Sequence, residues 1–290
     1  MIKSGNLPVL LLSCYFSGMT AASVRRLAQA RDVLNALSGR GKRSLVSGAM
    51  VLAYHDVRPR REGLSPYEVS RADLIQQLAA VRSLGYRFLP LDALIDAYLQ
   101  GQGLDGCVAV TFDDGYAGFS DHAAPVLAEF GAPATLFVPS GVLGSPPWWW
   151  PTAPALVSER ELVDVAGLPG MSIGSHSSRH ESLTTLPAAR QRAELADSKA
   201  RLEDLIAAPV RAFAYPYGEY GARTPTYVAE TGYATACTFM NGRVTSRASL
   251  YKLPRIVMHT GQSGLRLSYT LCRSESSFNP HQLTQVPLTP

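Results

Sequence analysis

The chain is expected to adopt an α/β fold, a (β/α) barrel of about seven parallel strands forming one domain over residues 49–262. Three observations carry that expectation. Short apolar, β-branched runs alternate with longer amphipathic stretches, and strands that alternate with helices imply a parallel sheet. The 290 residues, 46% apolar and 17% charged, supply one large core, and α/β barrels use this length as a single domain. Three polar clusters each follow directly on an apolar run, so a barrel would gather them at one rim, where such folds hold their sites.

The candidate strands lie near 50–54, 107–112, 134–138, 171–175, 211–215, 233–238 and 253–258. After the first, Asp73 to Leu84 puts Leu74, Leu78 and Val81 on one helical face, with Gly85 as the stop. Ser158-Glu-Arg-Glu161 has the spacing of a capping box. Leu195, Leu202, Leu205 and Ile206 line a longer helix whose opposite face is charged. Thr224-Pro225 opens another helix, and Gly232 ends it.

The first cluster is Val110-Thr-Phe-Asp-Asp-Gly-Tyr116, two adjacent carboxylates closing the apolar run that begins at Cys107. Neighbouring strand residues point to opposite faces, so Asp113 and Asp114 can take different work, one on a cation and one on a proton. An ionised pair at a strand end needs a metal, a partner or water. A helix cap or a turn after a strand would use the same residues. The second cluster, Ile173-Gly-Ser-His176-Ser-Ser-Arg-His180, spaces two imidazoles for one cation if the loop turns as a helix would. Asp114 completes a set of two histidines and one carboxylate with positions left for water and substrate. Two surface histidines in a polar loop are the plain alternative. In the third cluster, Ala214-Tyr-Pro-Tyr-Gly218, Pro216 stops a strand, and the turn can aim the Tyr217 N–H into a site.

Together, Thr111-Phe-Asp-Asp-Gly115, His176-Ser-Ser-Arg-His180 and Ala214-Tyr-Pro-Tyr-Gly218 resemble three successive motifs of the polysaccharide deacetylase family, which carries the NodB-homology domain and is carbohydrate esterase 4-like. Tyr54-His55-Asp56-Val57 and Leu253-Pro-Arg-Ile256 resemble flanking segments of its exopolysaccharide-associated members. The likeness spans roughly residues 50–260 and implies a distorted barrel of NodB type. It implies Asp113 as the general base, Asp114, His176 and His180 as metal ligands, and the Tyr217 backbone, after Pro216, as an oxyanion donor. It also implies that Ile256-Val-Met-His259 supplies a histidine for the leaving amine; the competing reading leaves His259 in the loop beyond the strand. Three positions depart from the pattern: Ala214 stands where an arginine often holds the base, Glu181 replaces a proline, and no Asp-Trp pair stands near 233–240. Arg255 is the candidate to restore the missing charge, since an adjacent guanidinium lowers a carboxylate pKa.

Residues 1–48 differ from the rest. Their apolar stretch, Leu7 to Ser23, is interrupted and short for a membrane span. Seven Lys and Arg against Asp32 give this segment +6, leaving −2 for the remainder of the +4 total. That balance argues against nucleic-acid binding by the domain and is compatible with an anionic membrane surface contacted through residues 7–43, or with a packed helix. Positive charge after the apolar stretch favours a membrane-associated or cytoplasmic address, whereas the family resemblance points to an extracytoplasmic one. Cys107 and Cys237 read as packed thiols, and Cys14 and Cys272 complete no zinc pattern. The indoles of Pro146-Pro-Trp-Trp-Trp-Pro151 suit sugar faces or a plug over the barrel edge, with the plug favoured for most of them. Residues 263–290 are expected to form a polar tail.

The expected activity is a metal-dependent hydrolase, with Zn²⁺ as the divalent cation, that removes N-acetyl groups from an N-acetylated glycan and releases acetate. An amidase acting on a non-sugar C–N bond through the same metal site, and a non-catalytic glycan-binding relative, are the rivals.

Overall fold

A computed structural model describes residues 47–60, 65–264 and 266–267. The expectations for the basic N-terminal segment, for Cys14 and Cys272, and for most of the polar tail lie outside the described residues. Among the described residues no helix is long and apolar enough to cross a membrane.

In chain order the elements are β1 (Met50–Tyr54), β2 (Asp56–Arg58), β3 (Glu68–Ser70), α1 (Arg71–Ser83), β4 (Arg87–Phe88), α2 (Leu91–Leu99), β5 (Cys107–Phe112) and α3 (Ala124–Phe130). There follow β6 (Ala134–Val138), α4 (Glu159–Ala166), β7 (Met171–Ser175), α5 (Ala188–Ile206), β8 (Ala212–Ala214), α6 (Thr224–Glu230), β9 (Thr235–Cys237) and β10 (Ile256–Val257). One curled sheet runs in the order β10-β1-β5-β6-β7-β8-β9, with β4 beside the start of β5, and every pairing is parallel. This is the expected (β/α) barrel of NodB type. Parallel pairing buries both faces of a strand, which is why β1 and β5 are apolar at nearly every position and wholly buried.

The seam between β9 and β10 is bridged by the run into β10. Leu253 N–H donates to Ala236 O at 2.8 Å and Thr238 N–H donates to Leu253 O at 2.9 Å. At the base of the barrel, Leu91, Leu94 and Ile95 of α2 join Ala49, Val51, Ala109, Phe137 and Ala212 in one apolar cluster.

The helix ends follow their local sequence. Ser70 caps α1 by accepting the Asp73 N–H, and Gly85, just past its end, takes φ 80°. Ser158 and Glu161 form the reciprocal capping box of α4. Pro225 sits in the first turn of α6, and Gly232 takes φ 89° beyond it. Leu195 and Leu202 of α5 are buried, while Leu205 and Ile206 are only half-buried.

Three expectations need correction. The strand expected over 253–258 is confined to Ile256 and Val257, because the Arg255 N–H turns aside to Met240 O at 2.8 Å. Arg255 therefore precedes a strand and does not end one. Strands β2, β3 and β4 were not expected; β2 and β3 pair only with each other. Past residue 262, Leu267 is fully buried and Gly264 packs against the backbone of Gln76 on α1.

Candidate active site

The four-element rim formed by the ends of β1, β5, β7 and β8 brings the predicted polar residues together. Asp113 N–H still donates to Tyr54 O at 2.8 Å, so this residue continues the β5 ladder. Its carboxylate is gripped from both sides: Arg255 Nη1 and Nη2 each donate to one oxygen at 2.7 Å. Neither side chain is exposed at all. Arg255 also donates from Nε to Thr238 O at 3.0 Å and from Nη1 to Thr111 Oγ1 at 3.1 Å, and the rings of Phe137 and Phe239 flank it. Burial alone would push the Asp113 carboxyl up, but the Arg255 charge and its hydrogen bonds outweigh that and hold it below the usual range. The fork geometry matches a planar guanidinium, and a lysine could not reproduce it.

Asp114 is separated from Asp113 by backbone handedness, not by strand alternation. It takes φ 68°, in the left-handed region where a non-glycine residue is strained, and Gly115 follows at φ 74°. Any Cβ on Gly115 would come within 2.8 Å of Val138 Cγ1, so the turn requires glycine. The turn delivers Asp114 Oδ1 to 3.2 Å from His176 Nε2 and 3.1 Å from His180 Nε2. All three side chains are buried, and their candidate ligand atoms lie within 4.8 Å of one another. Burial raises the Asp114 carboxyl, yet the two imidazoles hold it well below its ordinary range. Burial pulls His176 down, but its Asp114 hydrogen bond and the two aspartate charges leave it raised; for His180, burial prevails and lowers it.

The donor set fits a divalent cation. His176 Nδ1 lies 2.8 Å from Ala214 O, a contact in which only the ring N–H can donate, so the Nε2 lone pair is left facing Asp114. Two imidazole nitrogens and one carboxylate oxygen are the hard-to-borderline ligands such an ion takes, with positions to spare.

The loop between the two histidines is tied at almost every backbone group. His176 N–H donates to Val138 O at 2.9 Å. Ser177 O accepts from Ser140 N–H and Ser198 Oγ, and Ser178 O accepts from Gly141 N–H. Ser178 and Arg179 N–H both donate to Glu194 Oε2 at 2.9 Å. His180 N–H donates to Ser177 Oγ, and Arg179 O accepts from Trp148 Nε1. These bonds hold Ser177 and His180 at φ 64° and 59°, both left-handed. Four of the five non-glycine residues with positive φ among those described belong to this site.

Pro216 is buried and opens a short turn in which Tyr217 takes φ 59°. The turn is closed by Gly218 and Glu219 N–H, so neither closing bond uses the Tyr217 N–H. Gly218 is required too, because a Cβ there would meet Phe239 at 2.7 Å. The Tyr217 ring stands edge-on to His180 at 4.8 Å. His259 lies on the His55 side of the rim: its ring neighbours Tyr67 at 6.0 Å, its pKa is lowered by burial and then by His55 and Arg266, and its N–H donates to Gln262 Oε1.

Three further residues join the site: His55 and Glu194 had no expected role, and Trp149 was expected only as a plug or a sugar platform. His55, at the end of β1, is buried between Tyr67 and Phe239, its Nδ1 lacks a partner, and the charges of Asp114 and Asp113 both reach it. Burial, the largest effect, lowers its pKa. Its place at a strand end is the signal that could have found it. Trp149 stacks on His180 with ring centres 3.9 Å apart, and Glu194 secures the histidine loop from α5. For Glu194 the local sequence holds no signal, since it reads as part of a charged helix face.

Comparison with known proteins agrees with this geometry. A family model for polysaccharide deacetylases matches residues 100–236, which include the paired aspartates, both histidines and the Tyr217 turn. A Bacillus subtilis (strain 168) relative, YxkH, which bears a provisional polysaccharide deacetylase name, is 27% identical over 215 residues, 74% of this chain and 72% of its own. The Streptococcus pyogenes deacetylase PplD, solved in complex with acetate, superposes with a TM-score of 0.68 at 25% identity over 78% of this chain and 99% of its own. IcaB from Ammonifex degensii gives 0.67 at 26% identity over 78% and 97%. With that fold and these motifs, the chain is similar to the polysaccharide deacetylases in its family-model match, its curated relative and its structural neighbours.

Proposed function

We propose that the protein hydrolyses the N-acetyl groups of an N-acetylated glycan, releasing acetate and a free amino sugar. The observation that carries this reading is the meeting of Asp114, His176 and His180 beside an aspartate that Arg255 keeps ionised. Asp114, His176 and His180 would hold a divalent cation, in our reading Zn²⁺, which supplies Lewis acidity toward an amide carbonyl and toward water.

Asp113 accepts the proton of the attacking water. Its Arg255 grip keeps it charged and aimed, at some cost in basicity. The Tyr217 N–H donates to the oxygen on which charge develops as the carbonyl carbon becomes tetrahedral. The C–N bond then breaks and the nitrogen leaves with a proton from a histidine on the β1–β10 side of the rim. The sequence nominates His259, but the reach of both aspartate charges favours His55. His55→Asn should lower turnover more than His259→Asn; equal and negligible losses would remove both from the step.

The reading as a non-catalytic binder rests on Ala214 and the missing Asp-Trp pair; against the first, Arg255 pairs with Asp113. The resemblance of Tyr54–Val57 and Leu253–Ile256 to segments of exopolysaccharide-associated members turns our reading toward exopolysaccharide, and the acetate in the Streptococcus pyogenes structure is the product this reading requires. The test joins metal analysis of the purified protein with acetate release from chitooligosaccharides and from small non-sugar amides. We expect about one Zn²⁺ per chain and acetate from the sugars, lost with chelator and restored by Zn²⁺. Release from the small amides alone would favour the amidase; metal-loaded protein that frees no acetate from either overturns the hydrolase reading.

A further inference from the structure

We propose that Trp149 is a positioning residue for the cation ligands, fixing the Asp114 carboxylate and the His180 imidazole at once. This rests on the reading of Asp114, His176 and His180 as ligands. Metal-binding histidines ordinarily anchor the second ring nitrogen to a carbonyl, a carboxylate or water. His176 does so through Ala214 O, but His180 Nδ1 is buried with no hydrogen-bond partner. Its ring is held by aromatic contacts instead. The Trp149 indole lies nearly parallel to it, at 3.9 Å and 19°, and the Tyr217 ring packs edge-on at 4.8 Å.

The same indole reaches Asp114. Trp149 Nε1–H donates to Oδ2 at 3.4 Å, which leaves Oδ1 as the oxygen that both imidazoles face. One side chain thereby sets which carboxylate oxygen points inward and which plane His180 occupies. Trp149 is itself steadied by Trp148, set edge-on at 5.7 Å and tied to Arg179 O, and by a segment flanked with prolines whose φ is fixed. Trp149 belongs to none of the three motifs that carry the family resemblance.

The test measures Zn²⁺ affinity by chelator competition on the full chain, and the visible bands of the Co²⁺-loaded protein. Trp149→Leu removes both contacts and should weaken Zn²⁺ binding about tenfold or more, with altered Co²⁺ bands. Trp149→Phe keeps a ring against His180 but loses the donor, so the loss should be about threefold. If Trp149→Leu does not fold, Trp149→Phe decides: the expected outcome is weakened binding with shifted bands. Folded variants with wild-type Zn²⁺ affinity and unchanged Co²⁺ bands overturn the inference, even if their metal-free melting temperature falls. Wild-type protein that binds no Zn²⁺ overturns the ligand reading itself.

Discussion

Arg255 occupies the centre of the site although 142 residues separate it from Asp113. Its guanidinium is wholly buried, and such a charge survives only when its donors are satisfied and its partner is ionised. Four of its hydrogen bonds end on Asp113, Thr111 and Thr238, so it also fastens β5 to the seam beside β9. Asp113 has a depressed pKa in the folded state. It therefore contributes stability above the unfolded carboxylate pKa, and that contribution is lost as pH falls through the folded value. Arg255→Ala leaves the carboxylate buried without its cation, at a cost of about 3–5 kcal/mol in urea unfolding. Desolvation then loses its main opponent, with only the His176 and His55 charges still lowering the carboxyl, so the acidic limb of kcat/KM should move to higher pH and turnover at neutral pH should drop. Arg255→Lys should recover part of the shift but not the two-pronged grip. An acidic limb that stays where it was in Arg255→Ala would separate Arg255 from the tuning of Asp113. The sequence could nominate this residue because few charges stand beside apolar runs. It could not show His55 or Trp149 in the site, since their contacts depend on which strand ends become neighbours.

The elements most easily read were those with punctuation in their own sequence: the capping box of α4, the Thr224-Pro225 start of α6 and the unbroken apolar run of β5. Strands β2, β3 and β4 have only two or three residues each, too few for any period to show. The histidine loop was half legible. Its spacing was visible, but the left-handed turns at Ser177 and His180 are imposed from outside, by α5 and by the segment after β6. Glu194 is the main clamp, because two N–H groups of the loop share one of its oxygens and the residue is buried. Glu194→Ala would orphan both donors at about 1–3 kcal/mol each. Thermal unfolding should shift down accordingly, and Zn²⁺ affinity should fall as the two imidazoles lose their common orientation. Glu194→Gln keeps an acceptor and should restore most of both. A Glu194→Ala protein with native melting temperature and Zn²⁺ affinity would mean that the remaining loop bonds suffice.

At the scale of the whole molecule, a parallel barrel sends every strand end to the same rim, so motifs distant in sequence become one site. That part was legible once strands and helices were seen to alternate. The rim carries a second signal, which the sequence announced only in its tryptophan cluster. Seven large apolar side chains are exposed among the described residues, and Tyr67, Trp148, Tyr217 and Met240 all stand at this end. Tyr67 flanks His55 at 5.0 Å on one side of the aspartates, while Trp148 abuts the Trp149–His180 stack on the other. Trp149 is half-buried against His180, whereas Trp148 remains 55% exposed and offers a flat apolar face. Rings on both sides of a deacetylation site suit sugars that extend past the reacting unit in both directions, because a pyranose presents apolar C–H groups to an aromatic face. A ring contact of about 1 kcal/mol corresponds to about fivefold in affinity. Trp148→Ala and Tyr67→Ala should therefore each raise KM for a long chitooligosaccharide about fivefold. Neither should change kcat, nor the rate on an N-acetylated monosaccharide too short to reach the rings. Steady-state acetate release on substrates of increasing length reads this directly. If KM for the long substrate is untouched in both variants, the exposed rings lie outside the path of the glycan.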